Sequence, residues 1–286
     1  MPPSNASDKT RAVIIDAPVC TNRQLTGALW ELILIAPAVA AAASPGQFVH
    51  LALPETSRHI LRRPFAVHRV IADADGKPER LSLLYQVTGK GTTSLTTACE
   101  GVCLSLLGPM GRGWDPPSEA VSALLVAGGV GWAPLAMLAE LMFEHGAEVH
   151  VLIGARNAAY LDALINPIEK DLSAKAAFED FDNSRRLIKH LATDDGSLGY
   201  HGMNTELLEN LLSTYSFDYI ATCGPEPMQR IVAGMALSRG VPCELSLERR
   251  MACGIGSCLS CVIQTTEGKK RVCLDGPVFD AREVVW

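Results

Sequence analysis

From residue 11 to about 110, short apolar runs alternate with turn signals: AVIIDAPV, LWELILIA, GQFVHLAL, PFAVHRVI, ERLSLLYQV and VCLSLLG, punctuated by Gly46, Gly76, Gly89 and Gly108. Several short strands at this spacing predict a small antiparallel barrel or sandwich. The longest apolar tract, ALWELILIAPAVAAAA, is interrupted by Glu31 and Pro37 and is too short to span a bilayer. GRGWDPPSEA, with Pro116 and Pro117 as stiff breakers, reads as a linker.

The pattern then changes. SALLVAGG is a continuous apolar strand ending in glycines, followed by WAPLAMLAELMFEHG with Leu135, Leu138, Ala139 and Met142 at helical spacing. EVHVLIGARN is a second buried strand. FDYIATCGPEPMQRIVAGMALSRG repeats the scheme, its helix carrying Met228, Ile231, Val232 and Met235 on one predicted face. Continuous apolar strands alternating with helices predict a parallel α/β sheet. A cysteine-rich unit begins near Leu247.

Composition narrows the class. The chain has 286 residues, 48% hydrophobic and 20% charged, with a net charge of −6. That is ordinary for a globular protein, and the slight acidity argues against nucleic acid as the main partner. The N-terminal MPPSNASDKTR has no apolar core of a secretory signal, so a cytoplasmic location is expected, where structural disulfides are rare. The histidines are scattered, and no Ser/His/Asp array suggests itself.

Cys253, Cys258, Cys261 and Cys273 have the spacing C-x4-C-x2-C-x11-C. The first three match the plant-type [2Fe–2S] pattern. Gly254 and Gly256 let the backbone fold tightly and aim N–H groups at thiolate sulfur. A zinc ribbon has two short CxxC pairs, and here only Cys258–Cys261 qualifies; zinc and free thiols stand as the alternatives. Cys20, Cys99, Cys103 and Cys243 are expected to be ordinary buried thiols.

Further motifs carry chemistry. Arg63, Pro64, Phe65 and Ala66 combine a guanidinium suited to pyrophosphate with an aromatic on a stiff strand suited to a flat flavin ring. GKGTTSL, with Thr92, Thr93 and Ser94, opens a short helix facing phosphate or is a capped turn. Gly128, Gly129 and Gly131 in VAGGVGWAP sit where a nucleotide pyrophosphate meets a helix start, although Pro134 stands where the usual third glycine belongs; tight strand-to-helix packing is the alternative. Cys223, Gly224 and Pro225 end a later parallel strand, where ligands bind, and Cys223 is either beside a nicotinamide or a buried strand-end thiol. TDDGS, from Thr193, is a plain turn or part of the cleft. Arg156 suits a 2′-phosphate, and no acidic residue lies near it in sequence.

This order of motifs resembles the ferredoxin-reductase-like flavoproteins and, more narrowly, the electron-transfer subunits of type B dihydroorotate dehydrogenase; its sharpest parts are ERRMACGIGSCLSCVI and RVCLDGPVFDAREVVW. The resemblance implies a FAD-binding β-barrel over 1–115, a NAD-binding α/β domain over 116–245 and a [2Fe–2S] domain over 246–286. It assigns FAD to Arg63, Pro64, Phe65, Ala66, Leu84, Tyr85, Gln86, Gly91 and Thr92. It assigns NAD to Gly128, Gly129, Gly131, Cys223, Gly224 and Pro225, and the cluster to the four spaced cysteines. Ala66 departs from the family, where Ser or Thr is frequent. The implied partner is an FMN-bearing dihydroorotate dehydrogenase subunit in an α2β2 heterotetramer, touched in part by Val284, Val285 and Trp286. Rival readings are the flavin/[2Fe–2S] subunit of a ferredoxin-dependent transhydrogenase, hydrogenase or sulfite reductase, and a zinc-bearing nucleotide-binding adaptor without redox activity.

Overall fold

A computed structural model describes residues 12–54, 59–172 and 187–286, so the N-terminal stretch read for a signal lies outside the described residues. The first sheet holds β1 (Val13–Thr26), β2 (Leu29–Ile35), β3 (Phe48–Leu51), β4 (Arg63–Ala66), β5 (Arg69–Ala72), β6 (Pro78–Gln86) and β7 (Cys103–Met110). Its order is β4-β3-β7-β1-β2-β6-β5 and every pairing is antiparallel. Helices α1 (Pro37–Ala40) and α2 (Lys90–Leu95) are single turns on connections. The sheet curls around Leu32, Leu34, Val49, Leu51, Leu81, Leu83 and Leu106, all fully buried. Alternation along β6 sends Leu83 and Tyr85 into this core and Leu84 to the opposite face, against the second unit.

The second sheet holds β8 (Ser122–Gly128), β9 (Glu148–Ala155), β10 (Leu187–Thr193), β11 (Tyr200–His201), β12 (Tyr219–Cys223), β13 (Cys243–Ser246) and β16 (Val278–Asp280). Its order is β11-β10-β9-β8-β12-β13-β16, parallel except for the last strand. Helices α3 (Ala133–Glu144) and α4 (Ala158–Leu172) contribute to one core cluster, and α5 (Asn204–Thr214) and α6 (Glu226–Ser238) to another. Chain order runs outward from β8 in one direction and resumes at β12 in the other. The crevice of such a sheet opens at that switch point.

The buried face of α6 is Met228, Gln229, Val232, Ala233 and Ala236. Ile231, expected inside, is 44% exposed. Gln229 takes the inner place because its side-chain N–H donates to Gly224 O at 2.7 Å. The GRGWDPPSEA segment is anchored rather than loose. Trp114 is buried and donates Nε1–H to Pro134 O at 2.7 Å. Glu244 accepts from Tyr219 Oη at 2.7 Å, Asp115 N at 2.9 Å and Arg112 Nη2 at 3.2 Å.

The C-terminal segment forms a hairpin of β14 (Val262–Thr265) and β15 (Gly268–Arg271), then α7 (Val272–Asp275), and returns β16 to the edge of the second sheet. Its buried residues Cys261, Ile263, Val272, Cys273 and Phe279 share one core with α5, α6, Phe48 and Met110. No helix among the described residues is long and apolar enough to cross a membrane.

Candidate functional site

Parallel pairing sets the nucleotide cleft. Cys223 is in register with Ala127 on one side and Ser246 on the other, and Gly128 with Gly154. The carboxyl ends of four strands therefore meet where Gly129–Trp132 makes a 3-10 turn into α3. A cavity of about 720 Å³ opens there, lined among others by Gly128, Gly129, Gly131, Gly224, Pro225 and Ile231. Its far end holds Arg156 and Asp194. The pairing of β10 with β9 brings Asp194 beside Arg156, its N–H bonded to Ala155 O at 3.0 Å. An acidic neighbour for Arg156 thus exists, contrary to the reading from sequence, which could not see across 37 intervening positions. The Arg156 guanidinium lies over the Tyr160 ring, 5.3 Å from its centroid.

A second cavity of about 330 Å³ lies between the barrel and the sheet. Pro64, Phe65, Ala66, Leu84, Tyr85, Gln86 and Cys223 border it. Tyr85 turns its ring into the barrel core and donates its hydroxyl to Asn22 Oδ1 at 3.0 Å. Burial, against that hydrogen bond, raises its pKa. Arg63, Gly91 and Thr92 sit together beyond this cavity: a Cβ on Gly91 would come 3.1 Å from Arg63 Nε. The Thr92 hydroxyl caps its own turn, accepting from Thr88 N at 2.9 Å. The two cavities share Gln86, Val130, Leu247, Glu248 and Arg249 as lining. The sequence reading quoted ERR, from Glu248, as part of the resemblance but gave it no place in a cavity; its position at a strand end two strands from β8 supplies that place.

The thiols stand one step further along this stretch. Met251 borders the inner cavity, and Cys253, two residues on, is within about 7 Å of it along the backbone. The Cys253 sulfur accepts from Cys258 N at 3.4 Å, the Cys273 sulfur from Gly256 N at 3.2 Å, and the Cys261 sulfur from Cys273 N at 3.4 Å. Gly254 has φ +71°, and a Cβ there would meet His50 Nδ1 at 2.5 Å, so only glycine lets the loop pack on β3.

Burial disfavours the Cys253 thiolate, but N–H groups of Cys258, Ile255 and Ser257 and the Cys258 side chain outweigh it and bring Cys253 down to about 6. Burial first, then the Cys261 side chain, push Cys273 up to about 12, a thiol that ionises only with positive charge at its sulfur. Side-chain contacts link Cys253 with Cys258 and Cys261 with Cys273. Among the described residues no three His, Cys, Asp or Glu side chains gather around a single-ion position. Two thiol pairs with inward N–H groups fit a binuclear cluster, with two cysteines to each iron.

Of the remaining cysteines, Cys243 is buried and Cys20 half-buried, whereas Cys99 and Cys103 are exposed. The last two flank the turn entering β7, where a barrel edge meets solvent, so the expectation of buried thiols fails for them.

Comparison with known proteins agrees with this arrangement. Residues 248–285 match the iron–sulfur cluster binding domain of dihydroorotate dehydrogenase B, and residues 125–234 match the oxidoreductase NAD-binding domain. The chain is 34% identical over 280 residues to the dihydroorotate dehydrogenase B (NAD(+)) electron transfer subunit of Desulforamulus reducens, covering 96% of this chain and 98% of that one. It is 36% identical over 273 residues to the same subunit of Geobacillus thermodenitrificans, covering 93% and 96%. Among solved structures, the NADH-dependent reduced ferredoxin-NADP oxidoreductase superposes with a TM-score of 0.77 at 26% identity, over 95% of this chain and 90% of that one. The ferredoxin reductase of carbazole 1,9a-dioxygenase, at 20% identity and a TM-score of 0.62 over 82% of this chain and 68% of that one, shares the fold.

Proposed function

Because this chain belongs to the dihydroorotate dehydrogenase B (NAD(+)) electron transfer subunit family, we propose that it carries electrons between a dihydroorotate dehydrogenase catalytic subunit and NAD(H). Its cofactors are FAD and a [2Fe–2S] cluster, with NAD(H) as co-substrate, and it acts as the NAD-linked oxidoreductase subunit. The observation that carries the reading is the shared wall: Leu247, Glu248 and Arg249 border both cavities, Met251 borders the inner one, and the stretch runs on into Cys253.

When bound, the flavin exchanges electron pairs with nicotinamide and single electrons with the cluster. The chain's residues divide the work of holding these groups. Arg63 supplies positive charge beside Gly91, whose missing side chain leaves room for the pyrophosphate. Pro64, Phe65 and Ala66 wall one side of the inner cavity, and Leu84 and Gln86 another. Gly128, Gly129 and Gly131 let a dinucleotide approach the start of α3, with Gly224 and Pro225 opposite. Cys253, Cys258, Cys261 and Cys273 hold the cluster. We assign the three sections 1–115, 116–245 and 246–286 to FAD, NAD and cluster, the last borrowing the edge of the second sheet.

The partner is taken to carry FMN, in an α2β2 assembly located in the cytoplasm, consistent with the lack of any disulfide among the described cysteines. Ile255, Leu259 and Leu274, in the cluster segment, are 57%, 62% and 44% exposed and offer an apolar contact. The tail is tethered by Val285 N to Gln264 O at 3.2 Å, and Val285 and Trp286 are partly exposed. Co-purification of the native complex, followed by NAD+ reduction with dihydroorotate, tests the reading. A purified complex that holds FAD and cluster but reduces NAD+ only with ferredoxin as donor would replace the partner by the one suggested by the transhydrogenase-type relatives.

A further inference from the structure

Strand β3 stands between the flavin cavity and the thiols. Its alternation sends Val49 and Leu51 into the barrel core and Phe48 to the opposite face, into the core that holds Cys261, Cys273 and Phe279. His50, two residues on from Phe48, shares that face and is fully buried. Across the strand pair His50 is in register with Pro64, Val49 with Phe65 and Phe48 with Ala66. Phe48, Pro64, Phe65 and Ala66 all border the inner cavity. His50 thus has a wall strand of the flavin cavity on one side and the cluster loop on the other. A Cβ on Gly254 would stand 2.5 Å from its Nδ1, 3.1 Å from Cε1 and 3.2 Å from Cγ.

The ring itself is unsatisfied. Among the described residues neither of its nitrogens has a well-aligned hydrogen-bond partner. An apolar side chain of similar size would fill the place at less cost, since a buried polar group without a partner destabilises the fold. Burial, and next the charge of Arg62, bring His50 down to about 4, so the ring is neutral and carries one N–H. The backbone of Cys253 and that of Arg62 act in the opposite direction, as facing carbonyl acceptors do. Arg62 is fixed on β3 and β7, Nη1 donating to His50 O at 3.3 Å and Nη2 to Ser105 Oγ at 2.9 Å. The free polar edge of the imidazole is therefore turned to the backbone of Cys253, and the seat of that backbone decides where the Cys253 sulfur stands.

Resting on the function proposed above, we propose that His50 is a positioning residue for the exchange of single electrons: its ring seats the Cys253–Gly254 backbone on the β3–β4 strand pair, and this packed contact joins the cluster segment to the flavin wall. In each passage one electron leaves the cluster and one reaches the flavin. Two passages make up the pair handed to NAD+. His50 is neither oxidised nor reduced and moves no proton.

The test uses the assembled complex carrying His50→Leu or His50→Asn, with FAD and iron contents measured first. Leucine fills much of the space without an N–H, and asparagine returns an N–H close to the place of Nδ1. Anaerobic mixing with NADH, followed by absorbance and by freeze-quench electron paramagnetic resonance, reads flavin reduction and cluster reduction separately. Flavin bleaching should proceed as in wild type in both variants. The reduced-cluster signal should appear about 10-fold more slowly in His50→Leu, the lower end of what losing an outer partner of a metal ligand costs, and at close to the wild-type rate in His50→Asn. Apart from turnover, the resonance spectrum of the dithionite-reduced cluster and its midpoint potential should shift in His50→Leu and not in His50→Asn. A leucine variant with wild-type exchange and spectrum would make His50 a plain packing residue and overturn the assignment. Equal slowing of flavin and cluster reduction, or an asparagine variant as slow as the leucine one, is equally fatal. If His50→Leu does not hold iron, His50→Asn decides: retained iron with wild-type exchange and spectrum upholds the contact, and loss of iron or slowed exchange overturns it. Failure of the underlying function looks different, as wild-type protein that lacks FAD or iron, or whose cluster NADH does not reduce.

Discussion

Gly131 lies against the carbonyl of Cys223: a Cβ on Gly131 would stand 2.3 Å from Cys223 O and 2.8 Å from Gly224 Cα. The turn after β8 and the end of β12 are therefore in backbone contact, and this contact shapes the floor of the nucleotide cleft. Gly131→Ala has to push the two strand ends apart, since backbone cannot rotate out of the way. NADH-dependent dye reduction should fall about 10²-fold, while FAD content, held mainly by the barrel, stays close to wild type. Flavin absorbance and steady-state kinetics of one preparation check both statements.

Cys258→Ser separates two activities. Serine is nearly isosteric but a poor iron ligand, so the cluster should be lost or labile. NADH oxidation with a two-electron artificial acceptor should largely survive, because Arg63, Gly129 and Cys223 lie in other elements. Exchange between NAD(H) and the partner should collapse. A structural metal predicts instead that both activities fall together as the chain destabilises; iron analysis and the two assays distinguish the cases.

The neighbours Asp194 and Arg156 bear on coenzyme choice. An acidic side chain at the end of β10 can accept from a ribose hydroxyl and repels a 2′-phosphate, while Arg156 rests over Tyr160. Asp194→Asn should lower kcat/KM for NADH roughly 10-fold, the loss of one good hydrogen bond, and raise the relative use of NADPH. An unchanged NADH to NADPH ratio would assign discrimination elsewhere.

Acid sensitivity should trace in part to two imidazoles, His68 fully buried and His190 half-buried. Burial, with the charge of Arg69 next, holds His68 down to about 3, and burial, with His150 next, holds His190 down to about 4. Both values lie below that of an unfolded chain, near 6.5, so the unfolded state takes up protons first. Stability is full above pH 6.5 and is lost as pH falls toward 4. The fully buried His68 should contribute a slope of up to about 1.4 kcal/mol per pH unit in that window. His68→Gln should flatten the fall in melting temperature between pH 6.5 and 4.5 relative to wild type.

Much of this protein was legible in one dimension because its signals are local. The C-x4-C-x2-C-x11-C spacing, the apolar runs of β8, β9 and β12 and the Gly-rich turn at 128–131 each lie within a few residues, where periodicity and backbone freedom act directly. What the tertiary structure decided depends on pairing between distant segments. Asp194 meets Arg156 only because β10 lies parallel to β9, and Glu248 reaches both cavities only because β13 docks beside β12. Ile231 is exposed and Gln229 buried because a carbonyl at Gly224 has to be satisfied, a demand that helical periodicity does not contain. Trp114 turns an apparent linker into an anchor for the same reason: its indole N–H finds its acceptor 20 residues away, on a helix that only folding brings near.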